Sequence, residues 1–517
     1  MLIHPTVLTV FDTIMNLNFV KSPMTLSLFR LLITCALLLL GACTVGPNYV
    51  LPTIAIPESY KEVKGWKQAQ PQDDSLPDHW WEIFHDAKLS ALEVQVNKAN
   101  QSIIQAEAQY KQAQTMVQGA AAAYFPTAQA SATVNRFRAA SGQNVAVNGV
   151  KFLFGTVVSA AWAPDLWGSV RRQVESSEDS AQASAATLQA LRLTSQAALA
   201  QSYFQLRALD AQIKLMNDTL AAYDKSLLIT KNRYVAGVAA KADIVLAETQ
   251  LESARAQMLN LGILRAQLEH AIAVLIGKAP AELTIEVAAF DTTIPAIPAS
   301  LPSQLLERRP DVAAAERAAA AANAQIGVAK AAYFPNLNLA VSNGQQANIL
   351  SNLMTTGARY WALGPAGLAL PLFDGGARSA QLQQAIDVYD ASVAGYRQAV
   401  LVSFQQVEDN LAALRILEAE VDVQNKAVVS AHKAVELTTN QYQAGTVSYL
   451  NVIVNQTTAL SNDITAVNLQ SQRLVAAVQL AKALGGGWNS KALPTRDQAG
   501  GEVKWSQFLP VPIVDKD

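Results

Sequence analysis

Cysteine and histidine are scarce in this chain of 517 residues. Its two cysteines, Cys35 and Cys43, lie in the first tenth of the sequence, so the rest has neither a disulfide framework nor a thiolate metal site. Five histidines leave little material for metal binding or acid–base chemistry. We interpret His270, beside Glu269 on a predicted helix, as a packed or solvent-facing side chain rather than a ligand. No metal is expected.

Charge is also in short supply. Asp, Glu, Lys and Arg make up 15% of the residues, against about 25% in ordinary domains, and the net charge is −2. This balance argues against nucleic-acid binding, which needs a surplus of Lys and Arg. The 51% of hydrophobic residues excludes a disordered chain. The run Gly485-Gly486-Gly487 lacks the Lys-Ser/Thr of a phosphate loop, and no nucleophile–base set is found, so neither enzymatic activity nor a cofactor is predicted.

The N-terminus has the features of an export signal. Residues 31–42 form an apolar run behind Lys21 and Arg30 that is too short to span a membrane and ends in small residues. The sequence Leu40-Gly41-Ala42-Cys43 resembles the bacterial lipobox, in which signal peptidase cuts before the cysteine and its sulfur carries a diacylglycerol. An ordinary signal peptide cleaved nearby is the alternative. Translation has three candidate starts, namely Met1, Met15 and Met24.

The body of the chain is a tandem repeat. The sequence Ala122-Ala123-Tyr124-Phe125-Pro126 returns 209 residues later as Ala331-Ala332-Tyr333-Phe334-Pro335. Further matches keep an offset of 208 residues: Leu206-Arg207 with Leu414-Arg415, Tyr234 with Tyr442, Ala236-Gly237 with Ala444-Gly445, Arg265 with Arg473, and Gly277 with Gly485. A slip of one residue over a whole repeat indicates duplicated structure.

Each copy is predicted to contain one very long helix. Residues 169–236 include neither Gly nor Pro and are rich in Ala, Gln, Leu and Ser, which predicts a helix about 100 Å long. In the second copy, residues 377–444 have one interruption, Gly395. Return helices follow both turns and end near Gly277 and Gly485. Helices of this length favour coiled-coil packing, and the mixture of small and polar side chains suits a shell of helices around a water-filled space.

Between residues 126 and 168 the hydrophobic period changes to two. Alternation over about ten residues is typical of a transmembrane β-strand, and each copy offers one hairpin. The loops at 141–149 and 344–357 are predicted to be polar tips. A soluble hairpin that caps a coiled coil is the alternative. The alternating positions are Ala128, Ala130, Ala132 and Val134, then Phe152, Phe154, Thr156, Val158, Ala160 and Trp162, and in copy two Leu337, Leu339 and Val341, followed by an interrupted run over 361–372.

Four strands cannot span a bilayer as an open sheet, because their edge N–H and C=O groups would stay unsatisfied in hydrocarbon. Three chains of four strands give twelve, an even number within the range of outer-membrane barrels. A threefold ring with heterologous contacts closes naturally. We therefore predict an α+β membrane protein: a trimeric 12-stranded outer-membrane β-barrel, four strands per chain, continued by a long α-helical barrel.

A series of motifs resembles the TolC-like outer-membrane factors, lipoprotein branch. The resemblance covers essentially residues 43–488. It implies a lipid-anchored homotrimeric tunnel in the Gram-negative outer membrane, with a long periplasmic helical barrel, a periplasmic adaptor (membrane fusion) protein and an inner-membrane pump of the resistance-nodulation-division class as partners. The motifs, in order, are Val45-Gly46-Pro47-Asn48-Tyr49, Trp80-Trp81 with Phe84 and Leu89, Asp165-Leu166-Trp167-Gly168, Arg207, Leu268-Glu269-His270-Ala271, Arg309-Pro310-Asp311 with Ala315-Glu316, and Phe373-Asp374-Gly375-Gly376.

The chain accordingly divides into a signal, two repeats and three connecting segments. The predicted segments are 1–42 (signal peptide), 43–87 (lipidated linker and equatorial segment), 88–277 (repeat 1, with a hairpin at about 126–166 and a helical turn at about 234–242), 278–302 (equatorial linker), 303–485 (repeat 2, with a hairpin at about 335–372 and a turn at about 442–450) and 486–517 (equatorial tail).

The resemblance also implies a gate at the periplasmic end, where the helical hairpins turn. Leu450 matches the family's pore leucine, but Val454 stands where an aspartate ring is usual, and Thr457 where a basic residue often follows. Rings of valine and leucine would close by apolar contact and dewetting rather than by charge. Asp243, after the first turn, is a second source of acidity, with a helix N-cap as its alternative interpretation.

The turns are also implied to dock the adaptor, tip to tip. Small side chains let backbones approach closely, although a purely structural turn explains the same residues. The predicted docking residues are Gly237, Val238, Ala239, Gly445, Thr446 and Val447.

The leading hypothesis is an outer-membrane exit duct that passively conducts small molecules from the periplasm to the exterior in a tripartite efflux pump. Two alternatives stay open at this point. One is an outlet for a type I polypeptide secretion system, and the other is a structural coiled-coil lipoprotein of the envelope. Substrate selectivity resides in the pump and not in the duct, so the sequence of the duct does not identify the exported compounds.

Overall fold

A computed structural model of the protein describes residues 44–63, 79–138, 150–290, 293–295, 297 and 307–501. Cys43 and the predicted signal lie outside the described residues. The helices are α1 (Ala87–Ala99), α2 (Gln101–Ala122), α3 (Ser169–Val235), α4 (Lys241–Leu275), α5 (Pro310–Ala331), α6 (Ala377–Gln443), α7 (Tyr449–Ala483) and α8 (Arg496–Ala499). The strands are β1 (Thr127–Arg138), β2 (Val150–Trp162), β3 (Asn336–Ala347), β4 (Arg359–Leu363) and β5 (Gly367–Ala369). Short 3₁₀ helices lie at Lys61–Val63, Trp80–Phe84, Pro280–Glu282, Leu350–Asn352, Thr356–Ala358 and Ser490–Ala492.

The two repeats have elements of equal length. The long helices α3 and α6 have 67 residues each, the return helices α4 and α7 have 35 each, and α2 and α5 have 22 each. Strands β1 and β3 both have 12 residues. The predicted tandem repeat is confirmed, and Gly395 does not interrupt α6. None of the described helices has the length and hydropathy needed to cross a membrane.

The chain divides into two compact units, and the first contains the sheet. Its described residues are 44–48, 119–138, 150–175 and 323–387. The strands lie in the order β1-β2-β3-β4, every neighbouring pair is antiparallel, and β5 also pairs with β3. The predicted fourth strand is therefore present in two pieces, β4 and β5.

The second hairpin tip differs from its prediction. Strand β3 continues through Gly344, which pairs with Tyr360, so this glycine lies in the sheet and not in a loop. The connection that follows β3 was expected to be polar, yet it exposes Ile349, Leu350 and Met354 at 60%, 62% and 71% of their surface. The first tip, residues 139–149, lies outside the described residues.

The second unit contains most of the helical residues and the larger core. It comprises residues 49–118, 176–322 and 388–517. Trp80 and Trp81 are fully buried there, and the indole Nε1 of Trp80 donates a hydrogen bond of 3.2 Å to Oε1 of Gln196. The ring of Phe84 packs edge-on against Trp80 and lies 4.9 Å from the ring of Phe204. These large aromatic side chains bury much apolar surface within a core that is otherwise mostly Leu, Val, Ile and Ala.

Both return helices end in a glycine that lies against the start of the same repeat. Gly277 has φ +72°, and a Cβ placed on it would lie 2.1 Å from the carbonyl oxygen of Ala99. Gly485 has φ +98°, and its Cβ would lie 2.0 Å from the carbonyl oxygen of Arg308. Only glycine combines this left-handed backbone with so close an approach.

The residues after those carbonyls complete the two junctions. The side-chain amide of Asn100 donates to the Leu275 carbonyl at 2.8 Å, and the guanidinium of Arg309 donates to the Ala483 carbonyl at 3.2 Å. Leu275 and Ala483 occupy equivalent positions in the two repeats. The same junction is therefore built twice with different side chains.

Replacing a junction glycine should destabilise the protein far more than replacing a glycine with free space. For Gly277→Ala we expect the free energy of unfolding to fall by about 2 kcal/mol or more, since the left-handed backbone and the Ala99 contact both oppose a Cβ. Gly262→Ala, inside helix α4 with nothing within 4 Å of its Cβ, should instead raise the free energy of unfolding by up to about 1 kcal/mol. Urea unfolding followed by circular dichroism measures both; equal effects would contradict the packing argument.

Candidate functional site: a two-faced sheet and paired helical turns

One face of the sheet is apolar. Directly opposed residues of an antiparallel pair lie on the same face, and alternate residues of a strand lie on opposite faces. The register pairs Val134 with Phe154, Ala160 with Val341, and Val341 with Leu363, which fixes the apolar positions across all the strands. The apolar residues of this face are Ala128, Ala130, Ala132, Val134, Phe152, Phe154, Val158, Ala160, Trp162, Leu337, Leu339, Val341, Trp361, Leu363 and Leu368, and toward the hairpin tips the same face also carries Thr156, Asn343, Gln345, Arg136, Arg138 and Arg359.

The opposite face is largely polar. The register pairs Gln129 with Ser159, and Ser159 with Ser342. This polar face also contains Thr127, Ser131, Thr133, Asn135, Asn336, Asn338 and Gln346. The predicted alternation is therefore clear in β1 and β3 and weaker in β2, which also places Leu153 and Val157 on the polar face, so the sheet has one mainly apolar surface and one mainly polar surface.

A one-residue bulge keeps the last strand in phase. Between β4 and β5 the three residues Gly364-Pro365-Ala366 lie opposite the two residues Leu339-Ala340. Gly364, at φ +123°, donates its backbone N–H to the Ala340 carbonyl at 2.7 Å. Without the extra residue, the alternation that begins with Trp361 and Leu363 would place Leu368 on the polar face. The bulge returns Leu368 to the apolar face.

The two helical turns share one backbone geometry. Val238 donates its N–H to the Arg233 carbonyl at 2.9 Å, and Thr446 donates to the Gln441 carbonyl at 3.0 Å. Each turn passes through a left-handed glycine, Gly237 at φ +75° or Gly445 at φ +79°. These are the bonds of a Schellman helix end, which explains why glycine stands at both turns.

A cluster of side chains joins the first turn to the second. The guanidinium of Arg233 donates to the Gln443 carbonyl at 2.8 Å and lies 4.8 Å above the ring of Tyr442. That ring lies 5.2 Å from Tyr449, whose hydroxyl is 3.0 Å from the hydroxyl of Ser226. Burial raises the pKa of Tyr449, so the phenol stays neutral and its ring remains an apolar packing surface. The arginine also places positive charge at the C-terminus of α6, where the helix dipole favours it.

The three predicted pore residues of the second repeat share one exposed surface of α7. Leu450, Val454 and Thr457 are spaced at i, i+4 and i+7, and Leu450 and Val454 expose 53% and 56% of their surface. Val452, between them, is buried and packs with Tyr442 and Tyr449. None of the residues that the structure describes covers Leu450 or Val454 enough to bury them, so this surface can face a pore or another chain.

Asp243 does not cap a helix. The N-cap of α4 is Ala240, and Asp243 lies within the first turn, its N–H bonded to the Ala240 carbonyl at 3.1 Å. The alternative interpretation of Asp243 as an N-cap was therefore wrong, because α4 begins at Lys241, two residues before Asp243. Its carboxylate still stabilises the positive end of the helix dipole.

Most of the predicted docking residues are exposed. Gly237, Val238, Gly445 and Thr446 are exposed, and Ala239 and Val447 are half-buried. Val447 packs against the cluster that contains Tyr449. The first turn exposes more apolar surface than the predicted set contains, since Val235 is 86% exposed and Tyr234 44%.

Sequence reasoning missed Arg233, Tyr442 and Tyr449 as a cluster. Arg233 and Gln443 are 210 positions apart, and only the packing of the two hairpins brings them together. One signal was available, because the position equivalent to Arg233 in the second repeat is Gln441. Both turns have the same backbone geometry, but only the first has an arginine at this position, which indicates that Arg233 has a role other than forming the turn.

Comparison with known proteins identifies a family that this chain matches. A family model described as "Outer membrane efflux protein" matches residues 93–278 and again residues 301–486. The pyoverdine export outer membrane protein OpmQ of Pseudomonas aeruginosa is 31% identical and aligns over 90% of this chain and 98% of its own. The probable efflux pump outer membrane protein TtgC of Pseudomonas putida is 29% identical over 93% and 99%. The solved outer-membrane channel OprN superposes with a TM-score of 0.80 at 28% identity, over 86% of this chain and 100% of that one.

Proposed function

The chain belongs to the outer membrane efflux protein family, and from that membership we propose that it is the outer-membrane exit duct of a tripartite efflux pump. It conducts small molecules passively from the periplasm to the exterior. Family membership, and not the lack of a catalytic cluster, confirms the prediction that the chain is no enzyme. The observation that carries the proposal is the division of the sheet into an apolar and a polar face, since a duct through a bilayer needs both.

The duct is a homotrimer. In the described sheet, β1 lies at one edge and β4 with β5 at the other. Edge N–H and C=O groups cannot be left unpaired in hydrocarbon, so each edge pairs with the opposite edge of another copy. Three copies supply twelve strands, with the apolar face toward lipid and the polar face toward the lumen. The long helices form the periplasmic part of the same duct.

Partners follow from the family and from the names of the relatives. TtgC is named as an efflux pump outer membrane protein and OpmQ as an export outer membrane protein. A passive duct needs an energised transporter, so we assign this chain a periplasmic adaptor protein and an inner-membrane pump of the resistance-nodulation-division class. The exposed turn residues support tip-to-tip docking of the adaptor on the turns. The docking residues are Gly237, Val238, Ala239, Gly445, Thr446 and Val447.

The gate lies at the same turns. Leu450 and Val454 are apolar and exposed on α7, and Thr457 extends the same surface. Three copies would form rings of leucine and valine, which close a pore by dewetting. Asp243, in the first turn of α4, supplies the nearby acidity. The Arg233–Tyr442–Tyr449 cluster holds the two turns of one chain together and so sets the position of this surface.

The mature chain is anchored by lipid on Cys43. Support comes from the lipobox-like sequence before Cys43, at the end of an apolar run. A diacylglycerol adds two buried chains, enough for stable anchoring on its own.

The lipid assignment predicts a clear difference between the two cysteines. The mass of the mature wild-type protein should exceed its sequence mass by a diacylglycerol, and Cys43→Ser should abolish that excess. Cys35→Ser is the matched control and should leave the mass unchanged, because Cys35 lies within the removed signal. Intact-protein mass spectrometry measures all three; an unlipidated wild-type protein would refute the anchor while leaving the duct intact.

The two faces of β3 should respond oppositely to the same charge. Val341→Lys places an ammonium on the apolar face near the middle of the strand, where lysine costs about 2–4 kcal/mol in a membrane barrel. We expect heat-labile trimer in the outer membrane to fall at least about tenfold. Ser342→Lys, the neighbour on the polar face, should assemble at near wild-type levels. Equal assembly of the two variants would contradict the orientation of the sheet.

The gate assignment is tested by giving the pore an acidic ring. Val454→Asp would bring three carboxylates around one axis, and we expect the concentration of a trivalent cation that half-blocks single-channel current to fall by about tenfold or more. Val429→Asp is the control, since Val429 is an exposed valine on α6 far along the chain from the turn. Unchanged conductance and unchanged cation sensitivity in Val454→Asp would remove Val454 from the constriction.

A further inference from the structure

All the charge on the strands is of one sign. The five strands contain Arg136, Arg138, Lys151 and Arg359, and they contain no Asp or Glu. The connecting sequences 139–149 and 348–358 have no acidic residue either. The four cations therefore have no carboxylate within the hairpins to neutralise them. Such a concentration of positive charge favours the binding of an anion from outside the chain.

These cations gather at the tip end of the hairpins. Arg136 and Arg138 are among the last three residues of β1, Lys151 is the second residue of β2, and Arg359 is the first residue of β4. No cation lies in the other half of any strand. The positive charge thus marks one rim of the sheet.

The register assigns three of the four cations to the apolar face. Arg136 pairs with Phe152, Arg138 with Val150, and Arg359 with Gln345, all at apolar-face positions. The guanidinium of Arg136 lies 5.5 Å from the centre of the Phe152 ring, which directs it along that face. Lys151 pairs with Phe137 and lies on the polar face.

The tandem repeat places Arg359 at the level of the β1 arginines. The offset of 209 residues between the hairpins makes Gln345 the equivalent of Arg136. Because Gln345 pairs with Arg359, that arginine lies at the height of Arg136 in a ring built from both repeats. Strands β1 and β4 are the opposite edges of the sheet. In the trimer proposed above, each seam between copies joins β4 of one copy to β1 of the next.

We propose that Arg136 and Arg138 of one copy and Arg359 of the adjacent copy form a binding site for the phosphate groups of the phosphorylated glycolipid in the outer leaflet. The proposal rests on the trimeric duct proposed above, and it gives one site per seam. Guanidinium groups bind phosphate through paired, charge-assisted hydrogen bonds. An arginine on the lipid-facing side is tolerated best at the interface, which is also where lipid phosphates lie. Because neither chain completes the site alone, the lipid would brace the seam.

The experiment removes one charge at a time from assembled trimers. Arg136→Gln, Arg138→Gln and Arg359→Gln are compared with Lys151→Gln, which makes the same charge change at the same rim on the polar face. Purified trimers are placed in phosphatidylcholine vesicles that contain graded amounts of lipopolysaccharide, and bound lipopolysaccharide is counted by native mass spectrometry. We expect about fivefold weaker binding for each arginine variant and less than about twofold for Lys151→Gln.

Two outcomes would overturn the site. One is equal binding by the arginine variants and Lys151→Gln, and the other is complete displacement of lipopolysaccharide by millimolar inorganic phosphate, which would make the cluster a site for the free anion. Single-channel conductance in phosphatidylcholine alone separates this proposal from the duct itself. If the wild-type protein assembles and conducts in phosphatidylcholine alone, and the arginine variants bind lipopolysaccharide as the wild type does, only the lipid site is overturned. A wild-type protein that does neither overturns the proposed function.

Discussion

Unpaired backbone groups along two edges of a small sheet are the constraint on which the rest of this protein depends. Strands β1 and β4 lie at those edges in the described sheet, so one chain supplies only a fraction of a closed wall. A bilayer contains no water that could form hydrogen bonds with the edge N–H and C=O groups. The chains must therefore assemble before or while the sheet enters the membrane. The same edge strands carry Arg136, Arg138 and Arg359 at their hairpin-tip ends.

The second condition is that the apolar face and the polar face stay on opposite sides of the sheet in the half of each strand that lies away from the hairpin tips. The bulge at Gly364-Pro365-Ala366 shows how strictly the fold obeys it. The side chains on either side of the bulge are out of step in the sequence, since Trp361 and Leu363 occupy odd positions and Leu368 an even one. One extra residue reconciles them with a single face. A duct wall tolerates such local irregularity because the backbone groups at a bulge can still find partners within the sheet, as Gly364 does with Ala340.

Sequence patterns predicted the features that depend on local chemistry. The absence of Gly and Pro predicted the first 67-residue helix, their near-absence, with Gly395 as the one exception, predicted the second, and period-two alternation predicted the strands. Patterns were less informative where tertiary contacts decide. The bulge in the fourth strand was visible only as an interrupted run, and Gly344 suggested a loop although the sheet accommodates it against Tyr360. The Arg233–Gln443 contact depends on two turns packing side by side, which no local pattern encodes.

Differences between the repeats explain why a duplicated chain would build a threefold ring and not a sixfold one. Arg265 binds Asp210 at 2.7 Å, whereas its equivalent Arg473 lies 3.9 Å from Glu418, which is 71% exposed. Likewise Arg233 ties the first turn to the second, and Gln441 makes no equivalent charged contact among the described residues. If the repeats were identical, each hairpin could bind either neighbour equally well. Because each repeat has its own contacts, the pairing within a chain differs from the pairing between chains, and the ring repeats once per polypeptide.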